Sequence, residues 1–266
     1  MQGGTHHEKM PVIFSGHGSP MIALAHNDLT AAFNHIGQEV ISRFGKPKAI
    51  LSICAHWYAD GTYIQSAEKP RQIYDMYGFP DELYEVQYPV SGNRDLTMDV
   101  LNLLGDKVSI NDTWCIDHGT WTVLVHMFPK ADIPVVQLSV NCRLTEEECY
   151  NLGKELAPLR EKGYLIFASG NVVHNLRAVE FDNPIGTPAA DAFDEFIKEA
   201  VLARNDEAVI HYDTHKDADY AVPTKDHFLP LLYALGASEG ETPMVYNNIR
   251  NLGSMSMTGY IFGMEE

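Results

Sequence analysis

The chain has 266 residues, 45% of them hydrophobic and 21% charged, a composition that can bury a sizeable core in a length that suits one large domain better than two. Its 19 Lys and Arg against 36 Asp and Glu leave a formal charge of −17, a field that repels phosphate backbones and anionic headgroups and argues against nucleic-acid or membrane partners. No apolar run approaches the ~20 residues of a membrane-spanning helix, and the opening MQGGTHHEKM has no signal-peptide apolar stretch, so a cytoplasmic location is expected.

Residues 1–10, with His6 and His7, read as a flexible N-terminus, and 11–266 as a single α/β domain. The run at 11–16 and KAILSICAHW (48–57) predict buried strands, with a helix between them on which Leu29, Phe33, Ile36, Val40 and Phe44 recur at threes and fours before Gly45 and Pro47. TYIQSA (62–67) is strand-like, IYDMYGFPDELYEVQYP (73–89) is irregular and aromatic, and a helix is expected from about Asn93 to Leu104. GTWTVLVHMFP (119–129) follows it. IPVVQLSV (133–140), a helix over 145–163 and YLIFASGN (164–171) form a second β-α-β unit, its helix capped by Thr145 with Glu148 and interrupted by Pro158. A long helix after Pro188, a helix over 224–236 and strands near 244–249 and 255–262 complete the pattern. Strands alternating with helices predict a largely parallel central sheet covered on both faces.

In such sheets ligands collect outside the carboxyl ends of the strands. His17 ends the first strand, His56 ends the second, and His174 follows the ASGN end of a third. Neutral imidazoles that converge suit zinc or ferrous iron. Gly18 would let the backbone turn sharply beneath such an ion, and His227, at the start of its helix, is a further candidate ligand. His118 in DHGTW offers an imidazole to a substrate, with Asp117 as its candidate orienter.

Other features read more plainly. His26 and His35 are ordinary helical residues, Ser19 is a turn former, and Cys54 is a small buried residue. The four cysteines, 54, 115, 142 and 149, lack CxxC spacing and fit reduced thiols. HYDTH (211–215) has Tyr212 where the zinc-protease pattern needs glutamate, so a solvated loop is expected. Leu152, Leu156 and Leu159 read as a core stripe. SGHGSP lacks both the phosphate-loop lysine and the third glycine of a dinucleotide site, and HGS is not a nucleophile elbow.

GHGSPM, CAHWY, IYDMYGFPDELYEVQYP, DHGTW, SGNVVHNLR, PTKDHFLPLLYALGA and GSMSMTGYIFG, in that order along nearly the whole chain, together resemble the DOPA 4,5-dioxygenase branch of the class III extradiol ring-cleaving dioxygenases. The resemblance implies a non-haem metal at the strand ends, one divalent ion per chain, Fe(II) for turnover or Zn(II) as bound. It implies His17, His56 and His227 as ligands, His174 as a fourth ligand or, preferably, the acid/base beside the metal, and His118 as a contact to substrate or oxygen. Many enzymes of the wider class use two histidines and a glutamate; a histidine at the third position makes the ion more electrophilic and equally suits zinc. The implied partners are a small aromatic diol and O2, with Tyr74, Tyr77 and Phe79 as candidate pocket walls. Two alternatives remain at this point: a tetrapyrrole metal chelatase, which accounts for His17 alone, and a non-catalytic metal- or protein-binding relative of the fold.

Overall fold

The computed structural model describes residues 8–264, and its elements begin and end where local chemistry dictates. β1 (Val12–Gly16) is a continuous buried run. Asn27 then caps α1 (Asp28–Phe44) through a reciprocal capping box with Thr30, and Gly45 ends it at φ 80°. β2 (Ala49–Ala59) and the short β3 (Thr62–Ile64) follow. Asn93 caps α2 (Arg94–Leu104), which leads to β4 (Val108–Ile110). The stretch that follows α2 and β4 contains a helix, α3 (His118–Met127), which lies too deep for one face to be polar.

β5 (Val135–Asn141) precedes α4 (Glu146–Leu156), which opens on the expected Thr145–Glu148 box. Pro158 turns its extension into a 3-10 segment over Ala157–Lys162 that ends at Gly163 before β6 (Tyr164–Gly170). α5 (Pro188–Leu202), the short α6 (Asp206–Ile210) and α7 (Ala218–Ala221), and α8 (Leu229–Ala237) come next. The closing strands are β7 (Pro243–Tyr246), β8 (Arg250–Asn251), β9 (Met255–Ser256) and β10 (Gly259–Phe262).

The main sheet runs β4-β3-β5-β2-β6-β1-β10-β7, and β8 pairs with β9 apart from it. Its centre, β5-β2-β6-β1, is parallel, while β10 and β7 join as antiparallel strands. β6 lies between the two strands of the first β-α-β unit, so His17 and His56 approach each other across one intervening strand. The two-residue alternation of a strand divides the core. Val12 and Phe14 face the layer of α2, α4, α5 and α8, whereas Ile13 faces α1 and α3.

Three local expectations change. Met10 belongs to the packed body: it is buried, and its N–H donates to the Arg160 carbonyl at 3.1 Å. His26 stands before the Asn27 cap, outside α1. His227 stands before α8 rather than on it. His6 and His7 lie outside the described residues. No helix among the described residues is long and apolar enough to cross a membrane.

Candidate metal centre

Backbone geometry at the ends of β1, β2 and β6 decides which side chains meet. His17 follows the last residue of β1 and donates its N–H to the Gly170 carbonyl at 3.1 Å. Gly18 then turns the chain at φ 63°, where a side chain would be strained. His56 lies where the pairing of β2 with β5 slips register, between Cys54 and Tyr58; such a bulge re-aims a side chain. The end of β6 holds the His227 segment, since Asn171 donates its N–H to the His227 carbonyl at 2.9 Å. A Cβ on Gly170 would stand 2.2 Å from that same carbonyl oxygen, so only glycine permits the approach.

His17, His56 and His227, scattered along the sequence, thereby bring one ring nitrogen each to within 4.8 Å of the others. The Nε2 atoms of His17 and His56 are 3.1 Å apart. His174 N–H donates to the Ala221 carbonyl at 2.9 Å, and its ring stacks on that of His227 with centroids 3.5 Å apart and planes 5° from parallel. It thus stands beside the three-histidine group. His118 opens α3 with its ring centroid 3.9 Å from that of His56.

The hydrogen bonds behind the rings fix which nitrogens face inward. Ser169 Oγ donates its one proton to the Gly119 carbonyl at 2.7 Å, so its 2.8 Å contact with His17 Nδ1 must have the imidazole as donor. The Asp226 carboxylate accepts from His227 Nδ1. Both rings therefore carry a lone pair on Nε2. His227 Nε2 is buried with no hydrogen-bond partner. A buried acceptor left alone costs free energy, and a cation between these nitrogens would relieve it. The donor set fits a divalent transition metal, with three imidazoles and space beside them.

Electrostatics agree. Burial, then the neighbouring imidazoles, push His17 and His227 well below the usual histidine range. Burial takes His56 down to about 3 and His174 to about 4. Neutral imidazole is the form that ligates metal. Burial raises Asp75, but its hydrogen bonding and charge contact with His118 prevail and hold its carboxyl below the ordinary value.

The orienter of His118 is Asp75, not Asp117. Asp75 Oδ1 accepts the His118 main-chain N–H at 2.9 Å and lies 2.9 Å from its Nδ1. Asp117 instead caps α3 and faces away, accepting from Cys54 Sγ, Gly119 N, Trp114 Nε1 and Gln137 Nε2 at 2.9–3.0 Å. Gly119 makes room for the cluster: a Cβ there would lie 2.4 Å from Cys54 Sγ and 2.8 Å from His56 Cδ2.

A cavity of about 600 Å³ opens on His56, His118, His174 and His227. Tyr77 and Phe79 line it, but Tyr74 does not; its hydroxyl donates to the Val86 carbonyl and its ring packs on Trp121. Ser19 is the expected turn former, accepting from Met21 N at 3.3 Å. His211 is exposed beside Glu207, and His215 packs on Phe193 and Phe196, so that pair forms no cluster with the site. Asp75, Asp226, Ser169 and Gly119 went unnoticed in the sequence. DHF itself placed a carboxylate next to His227, the one local signal available.

The chain matches the family described as the catalytic LigB subunit of aromatic ring-opening dioxygenase over residues 10–263. It is 37% identical to a 4,5-DOPA dioxygenase extradiol of Escherichia coli (strain K12), covering 96% of this chain and 95% of that protein. It is 35% identical to a 4,5-DOPA dioxygenase extradiol of Beta vulgaris, covering 94% and 95%. A crystal structure of an uncharacterized Escherichia coli K12 protein superposes with a TM-score of 0.83 at 34% identity, covering 96% of this chain and 100% of the other. Neither a chelatase nor a non-catalytic binder accounts for a match to a ring-opening enzyme along nearly the whole length.

Proposed function

Because this chain belongs to the family of the catalytic LigB subunit of aromatic ring-opening dioxygenases, we propose that its histidine cluster holds one divalent metal and opens catechols by extradiol insertion of O2. The observation that carries the metal is the convergence of His17, His56 and His227, with Nε2 of His17 and His56 3.1 Å apart and the lone pair on Nε2 of His227 buried without a hydrogen-bond partner. Two of the relatives bear the name 4,5-DOPA dioxygenase, and DOPA is a catechol, which supports the substrate class.

His17, His56 and His227 would hold the ion. Fe(II) bound there lowers the pKa of coordinating hydroxyls and supplies the redox partner that O2 requires, whereas Zn(II) fits the same donors without that redox chemistry. His174, neutral with its pKa near 4, accepts the proton of a catechol hydroxyl. Asp75 lies 2.9 Å from Nδ1 of His118, which leaves Nε2 to contact the substrate, while the proton taken up by His174 returns to a substrate oxygen as the ring opens. The cavity walls orient the ring against the cluster and keep bulk water from the reacting atoms. Both atoms of O2 enter the product, a ring-opened semialdehyde, and no external reductant is consumed.

The test is an aerobic assay of anaerobically purified, Fe(II)-loaded protein with 4-methylcatechol. Oxygen uptake matched by a yellow ring-opened product is the expected result. Iron bound at one per chain with neither signal rejects the reading.

A further inference from the structure

One wall of the histidine cavity is a strand too short to hold itself. β9 is Met255–Ser256, and its ladder partner β8 is equally short and stands apart from the main sheet. A two-stranded ribbon of this size has little stability of its own. Yet two parts of the site depend on it. Met255 lines the cavity, and the segment that carries His174 runs antiparallel to β9, with His174 opposite Met255. The Ser256 N–H donates to the Val173 carbonyl at 3.0 Å and the Asn175 N–H to the Ser254 carbonyl at 3.1 Å. A shift of β9 therefore carries the backbone of His174 with it.

Side chains supply what the ladder lacks. Successive residues of a strand face opposite ways, so Ser256 points away from the cavity that Met255 lines, and it is fully buried. Its hydroxyl donates to Oδ1 of Asp194, on α5, at 2.9 Å, and its carbonyl accepts from Asn171 Nδ2 at 2.7 Å. Asn171 follows the last residue of β6 and is itself buried. Its Oδ1 accepts the Gly18 N–H at 3.4 Å, near the long limit of a hydrogen bond. A flipped amide would set oxygen against the Ser256 carbonyl and nitrogen against the Gly18 N–H, so the neighbours fix its orientation. One carboxamide thus joins β9 to the turn after His17, while the main-chain N–H of the same residue holds the His227 carbonyl.

We infer that Asn171 is a positioning residue, whose carboxamide sets β9, and through it His174, in register with His17 and His227. The inference rests on the ring-opening reading in giving His174 the proton transfer. His17 is held independently, by its own N–H on the Gly170 carbonyl and by Ser169 at Nδ1. Loss of the carboxamide therefore falls on His174 and the Met255 wall more than on the metal ligands.

The experiment uses Asn171→Ala, which removes the carboxamide, and Asn171→Leu, which removes both hydrogen bonds while filling the space. Turnover of 4-methylcatechol is measured on the Fe(II)-loaded chains, and amide hydrogen exchange on the Zn(II)-loaded ones. One metal per chain should remain, with KM changed by less than about threefold and kcat per bound iron lower by about 10–100-fold. Exchange should quicken over 172–176 and 253–257 and keep its wild-type rate in β2 and β5. An unchanged kcat per bound iron overturns the inference, as does exchange that quickens evenly through the sheet, which marks general loosening. Metal lost from both variants overturns the assignment to His174 and places Asn171 behind the ligands instead. A wild-type chain that binds iron and opens no ring rejects the ring-opening reading, and the exchange pattern still decides whether Asn171 holds β9.

Discussion

Deleting one imidazole from the cluster has consequences that depend on what its nitrogen faces. His17 and His56 bring Nε2 atoms to 3.1 Å of each other, so His17→Ala or His56→Ala should abolish metal retention, measured by elemental analysis after desalting. His174 stacks on His227 beside the three-histidine group. His174→Ala should therefore keep much of the metal and lose turnover; equal metal loss in all three variants would make His174 a ligand instead. Asp226 acts one step further back by holding Nδ1 of His227 as the donor. Asp226→Asn can present its amide to that nitrogen and favour the wrong tautomer, so metal affinity should fall about 10–100-fold in a competition titration with a chromophoric chelator. Asp226 at least adjoins His227 in the sequence, whereas Asp75 has no sequence signature of its own. Asp75 is brought to His118 by the irregular segment after β3, and Asp117 was the tempting partner only because it is adjacent along the chain.

Between elements, close crossings are set by missing side chains. α4 and α8 meet at two glycines: a Cβ on Gly153 would stand 2.2 Å from the Tyr233 carbonyl oxygen, and one on Gly236 1.9 Å from that of Tyr150. Gly153→Ala must push the helices apart and should destabilise the chain by about 1–3 kcal/mol, read from the denaturant midpoint, with metal stoichiometry unchanged because the crossing is remote from the histidines. Loss of metal along with stability would show that this helix pair sets the cluster. The capped, half-exposed helices were legible in the sequence, since α1 and α4 carry both a capping box and a buried stripe. α3 was not. His118 through Leu124 are all buried, and a helix apolar on every side has no period to read. The insertion of β6 between β1 and β2 was equally hidden, because strand order is decided by contacts far apart in sequence.

At the scale of the whole molecule, the strand ends were the legible part of the site, and their meeting was supplied by tertiary structure and by resemblance. That meeting has a thermodynamic consequence for the metal-free chain. Burial lowers His56 to about 3 and His174 to about 4 from an ordinary value of 6.5, and lowers His17 and His227 in the same direction. Between those limits the unfolded chain binds more protons than the folded one, so stability rises with pH across the window. The contribution is complete above about pH 6.5 and is withdrawn as the medium is acidified toward 4 and then 3. Asp117 and Asp194, raised by burial, act in the opposite sense, while Asp75 is lowered and joins the histidines only at more acidic pH. Denaturant midpoints of the metal-free chain should therefore fall from pH 7 to pH 5. The Zn(II)-loaded chain should fall in parallel from a higher midpoint over this range, because the folded imidazoles are unprotonated with or without the ion and protons compete with it only toward pH 4. A midpoint that is flat or rises on acidification would mean that these imidazoles are already charged or solvated in the folded state. Such rings would not form the closed cluster on which metal binding depends.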